Sequence, residues 1–244
     1  MTLRCRSFAK INWTLEALGK REDGYHEIRT LLQTVDIHDE LVFEPAPHEI
    51  SLSCSALEVA ADAQNLVHRA AVLLRDYRKV TAGVAIHLEK RIPAGAGLGG
   101  GSSNAAVTLM ALDRLWKTAL GPAEFLALAR QLGSDVPFFL LGGTAVALGR
   151  GDEVYPLPDR PAPYLLIVTP SVRVKTTNAY GRLLTNPKAI SKMPVSCAAV
   201  FCNRGAPLVA SNDEVPSDIS QNDFEPFILK DYPEILRAFE RMAS

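Results

Sequence analysis

The run Pro93-Ala94-Gly95-Ala96-Gly97-Leu98-Gly99-Gly100-Gly101-Ser102-Ser103-Asn104 packs five glycines into seven residues and follows them with two hydroxyl side chains. An unbroken helical pattern from Ala105 to Trp116 comes next, and a strand-like run, Val84 to Glu89, comes before. Glycine permits positive φ and lets a bulky group approach the main chain. Such a run entering a helix aims successive N–H groups, and the positive end of the helix dipole, at one point. It reads as a phosphate cradle. The alternative is a flexible linker, which does not usually sit between a strand and a strongly apolar helix.

Two commoner glycine motifs do not fit. Gly95-x-Gly97-x-x-Gly100 matches the dinucleotide fingerprint, but that fold needs a strand directly after the helix. Here Trp116 leads through Gly121-Pro122 into a second helix. A Walker A loop ends in Gly-Lys-Ser/Thr, whereas this one ends Gly-Ser-Ser with no lysine. A protein kinase would place a lysine-bearing strand after the loop, and none is visible.

Working outward, 244 residues allow one large domain or two modest ones, and 48 % hydrophobic with 22 % charged residues is ordinary for a packed chain. A net charge of −1 gives nucleic acid or an anionic membrane nothing to attract. The longest uncharged run, Ile92 to Leu112, is too rich in Gly, Ser and Asn to span a bilayer, and Arg4, Arg6 and Lys10 break any signal-peptide core. Cys5, Cys54, Cys197 and Cys202 have neither zinc-site spacing nor the density of a disulfide framework, so a cytoplasmic protein is expected.

Ser7 to Leu15 reads as a strand or tight strand pair with Lys10, Asn12 and Thr14 on one face. A Lys and an Asn two apart could grip an oxyanion or hydroxyl; a solvated strand face is the plainer reading. Gly19 to Gly24 is a polar turn with Tyr25 and His26 at its mouth, suited to stack on and hydrogen-bond a planar base, or simply to pack. Runs at Ile28–Val35, Asp39–Phe43 and Glu49–Ser53 predict a meander of short antiparallel strands. Asn65 to Tyr77 predicts an amphipathic helix with Asn65 as N-cap; an exposed Asn amide there could also read an adenine edge.

Gly121-Pro122-Ala123-Glu124 opens a further helix that Gly133 closes. Asp135 then stands between a helix end and the apolar run Val136 to Leu141, a costly burial unless a cation pairs with it, or else a capping residue for the turn at Pro137. Strands are predicted at Thr144–Leu148 and Tyr164–Val168, with a turn at Gly149–Glu153, and a short helix at Thr176–Leu184. Residues 185–220 take no assignment. Asn222 to Pro226 caps a last helical pattern with a possible break at Pro233.

Four segments, in order and at these separations, resemble the GHMP kinases: Phe8-Ala9-Lys10-Ile11-Asn12, Asp23-Gly24-Tyr25-His26-Glu27, Pro93 to Ser103, and Leu132-Gly133-Ser134-Asp135-Val136-Pro137-Phe138-Phe139. The glycine loop is common to the superfamily. The second and fourth segments are narrower signals, pointing to the branch that phosphorylates the 2-hydroxyl of 4-diphosphocytidyl-2-C-methyl-D-erythritol in non-mevalonate isoprenoid biosynthesis. The resemblance covers nearly the whole chain.

It implies an α+β, two-domain GHMP kinase fold: a ribosomal protein S5 domain 2-like N-terminal domain over 1–155 and a ferredoxin-like C-terminal domain over 156–244. It implies ATP as co-substrate with Mg²⁺, a small-molecule substrate, and a monomer or weak homodimer. Carried over by position, Asp135 accepts the substrate hydroxyl proton and Lys10 holds that hydroxyl. Asn12 orients the erythritol end, and His26 hydrogen-bonds the cytosine edge. Tyr25 and Tyr180 sandwich the ring, and Thr176 contacts the substrate. Asn65 falls where the family reads adenine.

Pro93, Ala94, Gly95, Ala96, Gly97, Leu98, Gly99, Gly100, Gly101, Ser102 and Ser103 wrap the phosphates, with a serine hydroxyl from Ser102 or Ser103 near the metal. The metal ligands themselves are not assigned. Trp13 replaces a smaller aliphatic residue of the family pattern, and Asn104 a common Asp. The family's third glycine-rich motif does not occur before Ser244, so an incomplete C-terminal domain is expected.

Other readings are a GHMP kinase for homoserine or mevalonate, which gives an aromatic sandwich nothing to stack on, and a non-catalytic nucleotide-binding remnant.

Overall fold

The computed structural model describes residues 1–159, 165–169 and 225–243. Contacts divide the chain into two units: Met1–Ile11 with Gln33–Gly143 and Asp152–Val154, and Asn12–Leu32 with Thr144–Gly151 and Tyr155–Ser244. Strands β1 (Leu3–Lys20) and β2 (His26–Ala46) contribute residues to both.

In the first unit, the C-terminal half of β2 pairs antiparallel with β4 (Gly83–Glu89), from Glu40 opposite Glu89 to Ala46 opposite Gly83. Strand β3 (Ile50–Cys54) lies on the other edge of β4 and runs parallel to it, Ile50 opposite Val84 and Cys54 opposite Leu88. The expected meander is therefore corrected twice. Ile28 to Phe43 belongs to one continuous strand, and β3 is not antiparallel. The reason is the helix α1 (Leu66–Arg78) between β3 and β4. A crossover helix returns the chain to the same end of the sheet, which makes the two strands parallel.

Helix α1 packs on α2 (Gly100–Trp116), which also contacts α3 (Pro122–Leu132) and α4 (Val136–Leu141). Leu41, Phe43, Val84, Ile86 and Leu88 from the sheet and Val67, Leu74, Leu109, Leu112, Leu128 and Phe138 from the helices form the core. Each such side chain contributes roughly 1.5–3 kcal/mol by leaving water.

Asn65 caps α1 as expected, accepting from the Val67 N–H at 2.9 Å. Glu124 closes a capping box on α3 through the Gly121 N–H at 2.9 Å. The same carboxylate takes Tyr77 Oη at 2.9 Å and Arg78 Nη2 at 2.7 Å, tying the start of α3 to the end of α1. The bond from the Gly121 N–H, then that from Tyr77, holds its pKa below the ordinary value.

Helix α2 starts at Gly100, five residues earlier than the apolar pattern suggests. Glycine is a poor helix former, so propensity alone sets the start too late. Packing overrides it: a Cβ on Gly100 would lie 3.0 Å from Ile92 Cγ2 and 3.1 Å from Lys90 Nζ.

In the second unit, β5 (Thr144–Leu148) follows α4 as predicted, and Ile28 donates its N–H to the Gly149 carbonyl at 2.8 Å. Arg29 and the buried Glu16 form an ion pair at 2.6 Å. β6 (Glu153–Leu157) follows the turn at Gly149. The strand expected at Tyr164–Val168 does not form over Leu165–Val168, where Leu166 is 81 % exposed. An apolar run makes a strand only where a neighbour accepts its hydrogen bonds and covers a face. The terminal pattern gives α5 (Glu225–Asp231) and α6 (Pro233–Ala243), broken at Tyr232 before Pro233 as expected. The helix predicted at Thr176–Leu184 lies outside the described residues.

Candidate active site

Gly99 is the N-cap of α2, at φ 70°. A Cβ there would sit 2.7 Å from Phe139 Cζ and 2.9 Å from Lys10 Cγ, so only glycine fits, for space and for backbone sign alike. The first intrahelical bond runs from the Ser103 N–H to the Gly99 carbonyl at 2.9 Å. The amides of Gly100, Gly101 and Ser102 therefore have no partner within the helix, which is the general condition of an anion-binding helix start.

They border a cavity of about 420 Å³ lined by residues 93–101, Ser102, Asn104, Lys90 and Leu88. Val59, Ala60, Gln64, Asn65 and Leu66 line its other wall. Ser103, by contrast, is buried and does not line it.

Lys10 is bound to this loop by its own main chain, donating to the Leu98 carbonyl at 2.9 Å. Its side chain is only 8 % exposed, and its Nζ stands 3.6 Å from Asp135 Oδ2. The solvated-face reading of Lys10 is thereby set aside. Asp135 immediately precedes α4, yet its carboxylate makes no capping bond. It is 40 % exposed and faces the ammonium instead. Within the first turns of α2, β1 and the helix are joined again by a short buried hydrogen bond from the Ser7 hydroxyl to Asn104 Oδ1.

The geometry brings together the loop, Lys10 and Asp135. Asn65 lines the same cavity, but both ends of its amide are engaged: Oδ1 caps α1, and Nδ2 donates to the Ala60 carbonyl at 2.7 Å.

Asn12, Tyr25 and His26 belong to the second unit. Asn12 Nδ2 donates to Thr30 Oγ1 at 2.7 Å, and that hydroxyl donates to the Thr14 carbonyl at 2.6 Å, so the amide is oriented from behind. Tyr25 is exposed, and the Arg150 guanidinium lies 4.9 Å from the centre of its ring. The turn that presents it is closed by the Arg21 N–H to the Tyr25 carbonyl at 2.8 Å and by the Tyr25 N–H to Asp23 Oδ1 at 3.1 Å. Burial, then the charge of Lys20, lowers the His26 pKa. Thr176 and Tyr180 lie outside the described residues.

Sequence reasoning did not find Thr30, Arg150, Asp39 or Lys90. The first two touch Asn12 across the strands and the ring of Tyr25 beside the turn. The last two are a pair across β2 and β4 that only the strand register reveals.

The model of the GHMP kinases N terminal domain matches residues 65–143, the segment that carries the glycine loop and Asp135. A protein of Pelotomaculum thermopropionicum named 4-diphosphocytidyl-2-C-methyl-D-erythritol kinase is 42 % identical over 96 % of this chain and 80 % of its own length. One of the same name from Symbiobacterium thermophilum is 39 % identical over 100 % of this chain and 84 % of its own.

Among solved structures, a 4-(cytidine 5'-diphospho)-2C-methyl-D-erythritol kinase superposes with a TM-score of 0.77 at 36 % identity, covering 99 % of this chain and 82 % of the other. Homoserine kinase from Cytophaga hutchinsonii, at TM-score 0.54 and 20 % identity over 74 % of this chain and 59 % of the other, shares the fold. With relatives this similar over nearly its full length, the chain belongs to the GHMP kinases, in the family of the 4-diphosphocytidyl-2-C-methyl-D-erythritol kinases.

Proposed function

We propose that the chain transfers the γ-phosphoryl group of ATP to the 2-hydroxyl of 4-diphosphocytidyl-2-C-methyl-D-erythritol. The observation that carries the chemistry is the Lys10–Asp135 pair beside the start of α2. Asp135 takes the proton from the attacking hydroxyl, that oxygen bonds to the γ-phosphorus, and ADP leaves with the electrons of the broken P–O bond. Lys10 holds the oxygen as its charge grows. The unpartnered amides of Gly100, Gly101 and Ser102 face the charge on the phosphates. Phosphoryl transfer gains mainly from positioning and charge stabilisation, which are what these groups supply.

No group of three or more His, Cys, Asp or Glu among the described residues could cage a metal. Mg²⁺ is commonly held by substrate phosphates with few protein ligands. Of the two candidate serines, Ser102 lines the cavity and Ser103 is buried, which supports Ser102 as the one near the ion. When bound, the ion neutralises charge on the transferring group.

In the second unit Tyr25 offers a ring for cytosine, His26 its edge contact, and Asn12 a fixed amide for the polyol, with Tyr180 and Thr176 assigned by resemblance alone. Among the described residues no helix is long and apolar enough to cross a membrane.

The test is ADP release with ATP, Mg²⁺ and each of three alcohols. Phosphorylation of the cytidine-bearing alcohol, with homoserine and mevalonate inert, is expected. Preference for either aliphatic alcohol would overturn the substrate, and failure to bind an ATP analogue would overturn the kinase reading.

A further inference from the structure

The glycine loop has no lysine, but a buried lysine stands at its root. One step beyond the last β2–β4 pair, Glu40 opposite Glu89, the chain places Asp39 and Lys90 across from one another. Asp39 is completely buried, and its Oδ2 lies 2.5 Å from Lys90 Nζ. Its other oxygen, Oδ1, accepts the Arg91 N–H at 2.7 Å and the Ile92 N–H at 2.8 Å. The Lys90 N–H goes to Ser55 Oγ at 2.9 Å.

Three consecutive amides at the end of β4 are thus satisfied by side chains, and the next residue, Pro93, has no N–H to satisfy. The Lys90 ammonium in turn lies against Gly100, in the first turn of α2, where an added Cβ would come within 3.1 Å of it. Both ends of the loop therefore meet at one buried ion pair.

We propose that Asp39 and Lys90 are positioning residues for ATP. Their pair clamps the entry of the glycine loop at Arg91–Ile92 and its exit at Gly100, and so fixes where the free amides of α2 point. This rests on reading the loop as the ATP phosphate cradle.

A buried ion pair is weak evidence of stability, since desolvation offsets much of its attraction, so a role in fixing geometry is the better account of its presence. Lys90 is not the phosphate ligand in this arrangement. Its charge is already matched by the buried carboxylate of Asp39.

The experiment compares wild type, Asp39→Ala and Asp39→Asn by calorimetric titration with a non-hydrolysable ATP analogue, by KM for ATP and for the alcohol, and by thermal melting. Asp39→Ala removes the ion pair and both amide bonds to Oδ1, and its ATP KM and analogue Kd are expected to rise by about tenfold, a factor equivalent to ~1.4 kcal/mol. The alcohol KM should stay within about twofold, the difference that separates a local shift of one ligand's site from general damage.

Asp39→Asn keeps an oxygen for the two amides, so it should recover most of the ATP affinity. If Asp39→Ala does not fold, the Asp39→Asn titration decides alone, with a rise of about threefold expected. ATP affinity unchanged in folded variants, or lost equally for both substrates, would overturn the proposal and leave the pair merely structural. Tighter ATP binding by Asp39→Asn would also overturn it, by making the released Lys90 a phosphate ligand. A wild type that binds no ATP analogue would instead defeat the kinase reading itself.

Discussion

Lys10 donates its backbone N–H to the carbonyl of Leu98 at 2.9 Å, one residue before the helix cap at Gly99. The strand that carries the ammonium and the glycine loop are therefore held in register by main chain, not by side-chain packing alone. A shift of β1 along the loop would move Lys10 away from both Asp135 and the α2 amides. Positioning of this kind is worth most when the reacting groups cannot drift, because an error of about 1 Å can cost a hundredfold in rate.

Asp135→Asn should abolish turnover while leaving ATP analogue affinity within about threefold, since a general base typically contributes 10²–10⁴ in rate and this carboxylate lies outside the loop. The amide keeps the shape of the carboxylate and removes its ability to take a proton. Steady-state rates beside calorimetry check it; a rate within tenfold of wild type removes Asp135 from the proton-accepting role.

Gly99→Ala should impair ATP binding and folding together. Left-handed φ costs an L-residue about 1–2 kcal/mol, and the new methyl would stand 2.7 Å from Phe139 Cζ. By contrast, Gly97→Ala meets no atom within 4 Å and suffers only the backbone term from its φ of 76°. Melting curves of the two variants should rank Gly99→Ala well below Gly97→Ala, and equal melting would show that the contact with Phe139 and Lys10 is readily relieved.

Arg150→Ala should weaken binding of cytidine monophosphate less than Tyr25→Ala does. The guanidinium lies over the Tyr25 ring, an exposed cation–π contact of about 0.5–1 kcal/mol, and acts only by holding that ring. Tyr25→Ala removes the stacking surface itself. The affinities of the two single variants and the double variant form a cycle. Additive losses would mean that Arg150 does not act through Tyr25.

The loop and its helix were legible because each is written in local chemistry: glycine density, a strand before and a helix after. The helix pair around Gly121 and the break at Pro233 followed from caps and proline for the same reason. Asp135 read equally as a cap or a paired acid, and only the fold sets it against Lys10. Register was not legible. Nothing near Asp39 says that Lys90 will stand across from it, and the parallel placement of β3 depends on where α1 returns the chain. Lys10 shows the same limit: its spacing in β1 suits a wet face, yet it is buried, with its Cγ close against Gly99.

His26 gives a pH dependence with a definite sign. Burial first, and the nearby positive charge of Lys20 second, bring its pKa below the ordinary 6.5, so the ring is neutral at pH 7 and can accept a hydrogen bond from a cytosine amino group. Between the folded value and 6.5 the unfolded chain binds more protons than the folded one, so stability rises with pH in that window. The contribution is complete above the unfolded pKa and is lost as pH falls through the folded one. Cytidine monophosphate affinity should follow the same course, flat above pH 7 and declining only below 6.5. Titrations of wild type and His26→Gln across that range check it, with the glutamine variant correcting for protonation of the base. Identical pH profiles, or wild-type affinity that increases on acidification, would take His26 out of the cytosine contact.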